Sequence, residues 1–132
     1  MSAQMTTLQS DDDPRIRRVT GYGDGDDGRG YISVDGQRFG HSLILTPETV
    51  APWPPESFDD VGPEHVAMLM ASEPQVIVLG TGRTQRFLPA SLSEACIGKG
   101  IGIETMTTAA ACRTYNLLAG EGRAVAAGLL VE

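Results

Sequence analysis

The stretch QVIVLGTGR, Gln75–Arg83, decides the fold of this chain. Gln75 to Leu79 is a nearly continuous apolar run bounded by Pro74 and Gly80, the pattern of a strand buried on both faces and hence central and parallel in its sheet. Upstream, Pro63–Ser72 places Val66, Leu69 and Met70 on one helical face. Pro63 suits the first turn and Glu64 the positive end of the helix dipole. Downstream, Ser91-Leu92-Ser93-Glu94 has the form of a capping box for a short second helix that ends in Gly98-Lys99-Gly100. Ile101–Thr105 reads as the next strand, and Thr107 or Thr108 as the cap of a third helix. That helix carries the stripe Ala111, Cys112, Tyr115, Leu118 and Ala119 and is expected to stop at Gly120, because glycine takes the left-handed conformation cheaply. Ala124–Val131 closes the series as a strand. The second half thus spells strand, helix, strand, helix, strand, a pattern whose parallel crossovers are right-handed.

The first half reads differently. Residues 1–14 are polar and end in Asp11-Asp12-Asp13-Pro14, with too little apolar spacing to offset the entropy of ordering them; they are expected to form a disordered acidic tail ahead of a single α/β domain over 15–132. Ile16–Val19 is short and extended, and GYGDGDDGRG, Gly21–Gly30, is turn-forming. Tyr31–Val34 and Arg38–Leu45 are strand-like runs joined across Asp35-Gly36, a strong hairpin signal. VAPWPPESFDD, beginning at Val50, holds three prolines that remove amide donors, so it is neither helix nor central strand. The expected fold is α/β: one three-layer domain with a central mixed, mostly parallel sheet, an added N-terminal β-hairpin, and helices on the faces.

Length, charge and composition narrow the function. At 132 residues and 41% apolar, the chain buries enough surface to fold without disulfides or a structural metal. Seventeen acids against ten bases leave a net charge of −7, which opposes nucleic acid and anionic membrane surfaces. The acids are concentrated: residues 41–74 hold six acids and no base. No apolar run approaches the roughly 20 residues of a spanning helix, and the start of the sequence has neither a signal peptide nor an Arg-rich presequence. The expected location is cytoplasmic, without direct membrane insertion.

Few residues offer chemistry. Cys96 and Cys112 fall on the stripes of the second and third helices, where a thiol behaves as a small hydrophobe rather than a nucleophile. His41 and His65 share no metal-ligand spacing with the carboxylates or cysteines, so no metal site or cofactor is expected. Asp24, Asp26 and Asp27 resemble a calcium loop only superficially, since Gly28 and Asp35 stand where ligating side chains belong. The most suggestive stretch is Gly80-Thr81-Gly82-Arg83, at the carboxyl end of the buried strand where parallel sheets bind ligands. With Thr105–Thr108 at the start of the third helix, it would form an anion site of Gly80, Thr81, Gly82, Arg83, Thr107 and Thr108. The competing reading is a tight turn and a helix cap. Trp53, flanked by Pro52, Pro54 and Pro55, is either a core cap or an aromatic anchor for a partner.

VIVLGTG (76–82), RFLP (86–89), KGIGIETM (99–106) and TAAACRTYNLLAGEGRAVAAGLL (108–130) together resemble the family catalogued as domain of unknown function 498. Its best-understood branch is the third assembly factor of mitochondrial respiratory complex I. Thr114-Tyr115-Asn116 and Glu121-Gly122-Arg123 are the most specific part of the likeness. The resemblance implies a three-layer fold with helices on one side, helix plus β-hairpin on the other, and a final strand antiparallel to its neighbours. It transfers no catalytic residue. Without a presequence, the chain reads as a bacterial relative.

Two functions follow as expectations. The first is a non-catalytic protein-interaction or assembly-factor-like role with a protein partner in membrane-complex assembly, through Trp53, the acidic 41–74 surface or a sheet edge. The second is a small-anion or carboxylate-binding protein or enzyme built on the Gly80–Arg83 and Thr105–Thr108 loops, with Glu104 as its available acid–base group. Nothing in the sequence sets an oligomeric state.

Overall fold

The computed structural model describes residues 5–7 (backbone), 15–25 and 28–132. Along them the chain forms β1 (Met5–Thr7), β2 (Val19–Asp24), β3 (Gly30–Val34), β4 (Gln37–Phe39), β5 (Leu43–Leu45) and β6 (Val50–Pro52). A 3-10 turn (Phe58–Asp60) leads into α1 (Pro63–Met70), followed by β7 (Val76–Gly80), α2 (Ala90–Ile97), β8 (Gly102–Met106), α3 (Thr108–Gly120) and β9 (Val125–Leu129). Two sheets result, of order β1-β2-β3-β4 and β6-β5-β9-β7-β8.

Every residue of β7 is buried, because its side chains alternate between two apolar clusters. Val76 and Val78 face α3 and the first sheet, through Ala111, Cys112, Tyr115, Ile32 and Val34. Ile77 and Leu79 face Val66 and Leu69 of α1 and Leu92 and Cys96 of α2. The period-two alternation of a strand divides one run into two interfaces. The chain steps from β7 to β8 and then back past β7 to β9, so its two parallel crossovers run in opposite directions. Crossovers of one hand on opposite steps put their helices on opposite faces, and α2 and α3 lie on opposite faces accordingly. The result is a mixed α/β fold in three layers, with α1 and α2 outermost on one side and α3 with the four-stranded sheet on the other.

Several expectations are corrected in detail. The large sheet is parallel across β9-β7-β8 and antiparallel across β6-β5-β9, so it divides evenly rather than being mostly parallel. β9 is antiparallel to β5 only and parallel to β7, not antiparallel to both neighbours. Arg38–Leu45 is not one strand: β4 ends at Phe39, and the chain crosses through Gly40-His41-Ser42 to join the other sheet as β5. The hairpin turn itself forms, with φ of 51° at Asp35 and 85° at Gly36, the two positive values of a type I′ turn. In the proline segment, Val50–Pro52 forms an edge strand and Phe58–Asp60 a 3-10 turn. Met5–Thr7, within the expected tail, pairs antiparallel with β2, a backbone pairing that needs no apolar pattern; residues 1–4 and 8–14 lie outside the described residues, as do Asp26 and Asp27 of the calcium-like loop.

The helix ends also differ. Ser91 does not cap α2; the N-cap is Pro89, with no side-chain hydrogen bond, and Ser91 lies inside the first turn. Thr107 caps α3 as expected, accepting from the Ala110 N–H. The stop signal is Gly122 rather than Gly120. Gly122 has φ of 80°, its N–H donates to Ala119 O at 3.0 Å, and the Arg123 N–H donates to Leu118 O at 3.1 Å. These two bonds form a Schellman motif, with Gly120 still helical.

Two adjacent side chains fasten the first sheet to α3. Asn116 Oδ1 accepts from the Val19 N–H at 2.9 Å and its Nδ2 donates to Val19 O at 2.8 Å, pairing with the β2 backbone as another strand would. The Tyr115 hydroxyl donates to Arg17 O at 2.8 Å. The quoted TYN segment is therefore a structural clasp.

The Schellman assignment separates two glycines two residues apart. Gly122→Ala forces a Cβ into the left-handed region and should cost about 1–2 kcal/mol, whereas Gly120→Ala, in helical backbone, should be neutral or stabilising by up to about 1 kcal/mol. Urea denaturation of both variants checks the order.

Candidate functional site

Because β7, β8 and β9 are mutually parallel, their carboxyl ends share one edge of the sheet. The Gly80–Arg83 turn and the Thr105–Thr108 segment meet there, as expected. Gly80 is where α3 sits down on the sheet: a Cβ at this position would lie 2.9 Å from Thr108 Cα and 3.1 Å from Ala111 Cβ. Gly82 has φ of 96°, which turns the chain back toward the helix. Its N–H donates to Thr108 Oγ1 at 2.9 Å, and that hydroxyl donates onward to Leu130 O at 2.7 Å. The Thr108 N–H in turn donates to Gly82 O at 2.9 Å. Thr81 is buried; its N–H donates to Met106 O at 2.8 Å, and its hydroxyl lies 2.7 Å from Thr84 O and 3.1 Å from Met106 O.

A cavity of about 330 Å³ opens between this rim and the first sheet, lined by Tyr22, Asp24, Arg83, Thr107, Thr108 and Glu132 among others. It is the right place for a ligand in a parallel sheet, but Arg83, Asp24 and Thr108 are already engaged with protein groups, while the buried Tyr31 hydroxyl in the lining has no hydrogen-bond partner among the described residues. Arg83 Nη2 donates to Asp24 Oδ1 at 2.8 Å and to Gly28 O at 3.1 Å. The Arg83 N–H points at Glu132 Oε1, 3.2 Å away. An incoming anion would have to displace Asp24 from the Arg83 guanidinium and the Glu132 carboxylate from the Arg83 backbone N–H. The rim thus behaves as a joint between strand, helix and hairpin, and the anion reading gains no support from it.

The remaining candidates lie apart from the cavity's polar groups. Cys96 and Cys112 are both buried, and burial raises both thiol pKa values, that of Cys112 to about 12 against the slight opposing pull of Arg113. A thiol so held is protonated at neutral pH and is a poor nucleophile. Glu104 stands exposed on the edge strand β8. His65 Nδ1 accepts from the Gly62 N–H at 3.0 Å, closing the start of α1, and exposed His41 contacts its own neighbour, Ser42 O, at 3.1 Å. Among the described residues no group of three or more His, Cys, Asp or Glu side chains converges as a metal site would require.

Of its two readings, Trp53 takes the place of the core cap. It is 3% exposed, and its Nε1 donates to His65 O at 3.2 Å. Its ring lies over β9, where a Cβ at Gly128 would come within 2.9 Å of it. The large exposed apolar side chains are instead Phe87 (79%), Ile97 (65%), Leu117 (62%) and Met68 (40%). Phe87 and Ile97 were legible only as breaks in pattern: Phe87 lies with Leu88 outside any periodic segment, and Ile97 lies off the Leu92–Cys96 stripe.

Residues 25–130 match the family described as "Protein of unknown function (DUF498/DUF598)". The chain belongs to this family. Its members include relatives with curated names: the bovine protein named NADH dehydrogenase [ubiquinone] 1 alpha subcomplex assembly factor 3 is 36% identical over 112 residues, covering 83% of this chain and 60% of that protein. The chain therefore spans well under two thirds of that relative's length. Among solved structures, a Bordetella parapertussis protein is 36% identical with a TM-score of 0.82, covering 92% of this chain and 100% of its own. A Bordetella pertussis protein described as a Mth938-like domain is 33% identical with a TM-score of 0.76, covering 95% and 92%. This family member thus shares its fold with bacterial relatives.

Two measurements check the site chemistry. Thr108→Val strips the Gly82 N–H and Leu130 O of their shared partner and should cost about 1–3 kcal/mol, most of it regained in Thr108→Ser; thermal melts decide. Burial keeps the Cys112 thiol neutral in the folded state, so ionisation of the freed thiol at high pH favours the unfolded chain. Stability should therefore fall as pH rises from the ordinary thiol value of 9.0 toward about 12, and the slope of denaturation free energy against pH should shrink in Cys112→Ala.

Proposed function

We propose that this chain is a non-catalytic interaction protein that assists the assembly of a multisubunit membrane complex of the respiratory type, acting from the cytoplasm on a protein partner. The observation that carries the reading is the 36% identity, over 83% of the chain, to a relative named as an assembly factor for NADH dehydrogenase. The site chemistry supports it. Both thiols are buried and held neutral, and the carboxylates and hydroxyls of the rim are spent on holding elements together. What the molecule presents outward is surface rather than a reactive centre, and surface is what an assembly factor uses.

The mode of action follows from charge and shape. No helix among the described residues is long and apolar enough to cross a membrane, and a net charge of −7 disfavours adsorption to anionic lipid. Attachment to a growing membrane complex then goes through its protein subunits. Affinity purification of the tagged chain, expressed at its native level and extracted in mild detergent, should recover membrane-complex subunits in fixed ratio. Deletion of its gene should lower the amount of assembled complex, and restoration by the Cys96→Ala/Cys112→Ala double variant should be complete. Recovery of the chain alone, with unchanged complex levels in the deletion strain, would remove the proposal.

A further inference from the structure

The acidic third of the chain and the exposed apolar residues belong largely to one layer of the fold. Glu48, Glu56, Asp59, Asp60, Glu64 and Glu73 are all exposed, and among the described residues only Asp59 is matched by a base, with Arg86 Nη1 3.4 Å from its Oδ1. Arg86 also reaches over the Phe58 ring, 5.5 Å from its centroid. This double contact ties Arg86 to the 3-10 turn, and the next residue, Phe87, is 79% exposed. α1 begins three residues after that turn, with Glu64 and Met68 exposed one helical turn apart. α2 packs against the same sheet face as α1 and ends in Ile97, also exposed. Lys99 follows two residues beyond Ile97.

Large apolar side chains left in water beside an unneutralised acidic surface mark an interaction site, and the charge selects what fits. An anionic lipid surface carries the wrong sign. A second copy of this chain, meeting across a twofold axis, would set the same acids against themselves. We infer that the outer face of the α1–α2 layer docks a basic amphipathic helix of a partner protein. Apolar anchors of that helix cover Phe87, Met68 and Ile97, and its Lys and Arg side chains face Asp59, Asp60 and Glu64. The inference rests on the interaction reading above and specifies its surface and partner chemistry. The rim charges steer association and the apolar anchors hold it.

The test uses the full chain and a dye-labelled helical peptide of Leu and Lys, with a counterpart in which each Lys is Glu, followed by fluorescence anisotropy. The Lys peptide should bind, more weakly at high salt, and the Glu peptide should not. Phe87→Ser/Glu64→Lys should weaken binding by roughly tenfold or more. Leu117→Ser/Glu121→Lys makes the same changes of charge and hydrophobicity on exposed α3 positions and should alter binding by less than about twofold. All four side chains are exposed, so both variants should melt as the wild type does. Equal weakening by the two variants, or no binding of the Lys peptide, overturns the assigned face. So does concentration-dependent self-association abolished by Phe87→Ser/Glu64→Lys, which would make a second copy the occupant. If partner subunits are still purified with the chain in that event, only the docking face is wrong; if they are lost as well, the interaction reading fails with it.

Discussion

A strand with no polar side has to be covered twice, and β7 imposes that requirement on the whole molecule. Val76 and Val78 require one apolar layer, Ile77 and Leu79 another. Neighbouring strands alone cannot meet it, since they cover edges and not faces. The helices meet it because parallel strands need crossovers, and crossovers of fixed hand taken in opposite directions deliver α2 to one face and α3 to the other. α3 still leaves a flank to water, and the N-terminal sheet closes it with Ile32 and Val34. Asn116 and Tyr115 hold that sheet in place through three hydrogen bonds to the backbone of Val19 and Arg17.

The same requirement accounts for the rim. To cover β7 closely, the start of α3 approaches Gly80 within distances that tolerate no Cβ. Backbone brought that near must find partners or suffer desolvation; Gly82 and Thr108 supply them to each other, and Thr81 bonds Met106 O. Arg83 extends the joint to the β2–β3 hairpin through Asp24 and Gly28. Glycines and threonines at the carboxyl end of a parallel strand can cradle a ligand; here they also join strand, helix and hairpin.

The exterior is not uniform. The face bearing α1 and α2 combines acids of which, among the described residues, only Asp59 has a counter-ion, with exposed apolar side chains. Both features are costs to a free monomer that a complementary partner would relieve. This suits a family whose relatives include a protein named as an assembly factor, since such a protein must hold a partner's surface and later release it. Exposed charge and a few apolar anchors give recognition that is fast and reversible.

By itself the sequence determined the elements that depend on local periodicity and turn chemistry: the buried strand at Val76, the helix stripes of α1 and α3, the Thr107 cap, the type I′ turn at Asp35-Gly36 and the burial of both cysteines. The family likeness was also legible, because its motifs are spread along most of the chain. Tertiary structure decided everything that depends on which surfaces meet. It turned Ser91 from a cap into a first-turn residue, moved the left-handed stop from Gly120 to Gly122, and set β9 parallel to β7 and antiparallel to β5. It split Arg38–Leu45 between two sheets and, of the two readings of Trp53, selected the core cap by placing its ring over Gly128. Arg83 shows why: nothing near it in sequence announces its bond to Asp24, 59 residues away along the chain. Local sequence encodes the conformation of a segment through near-neighbour sterics and hydrogen bonds. Partners so distant in sequence meet only after the layers have packed.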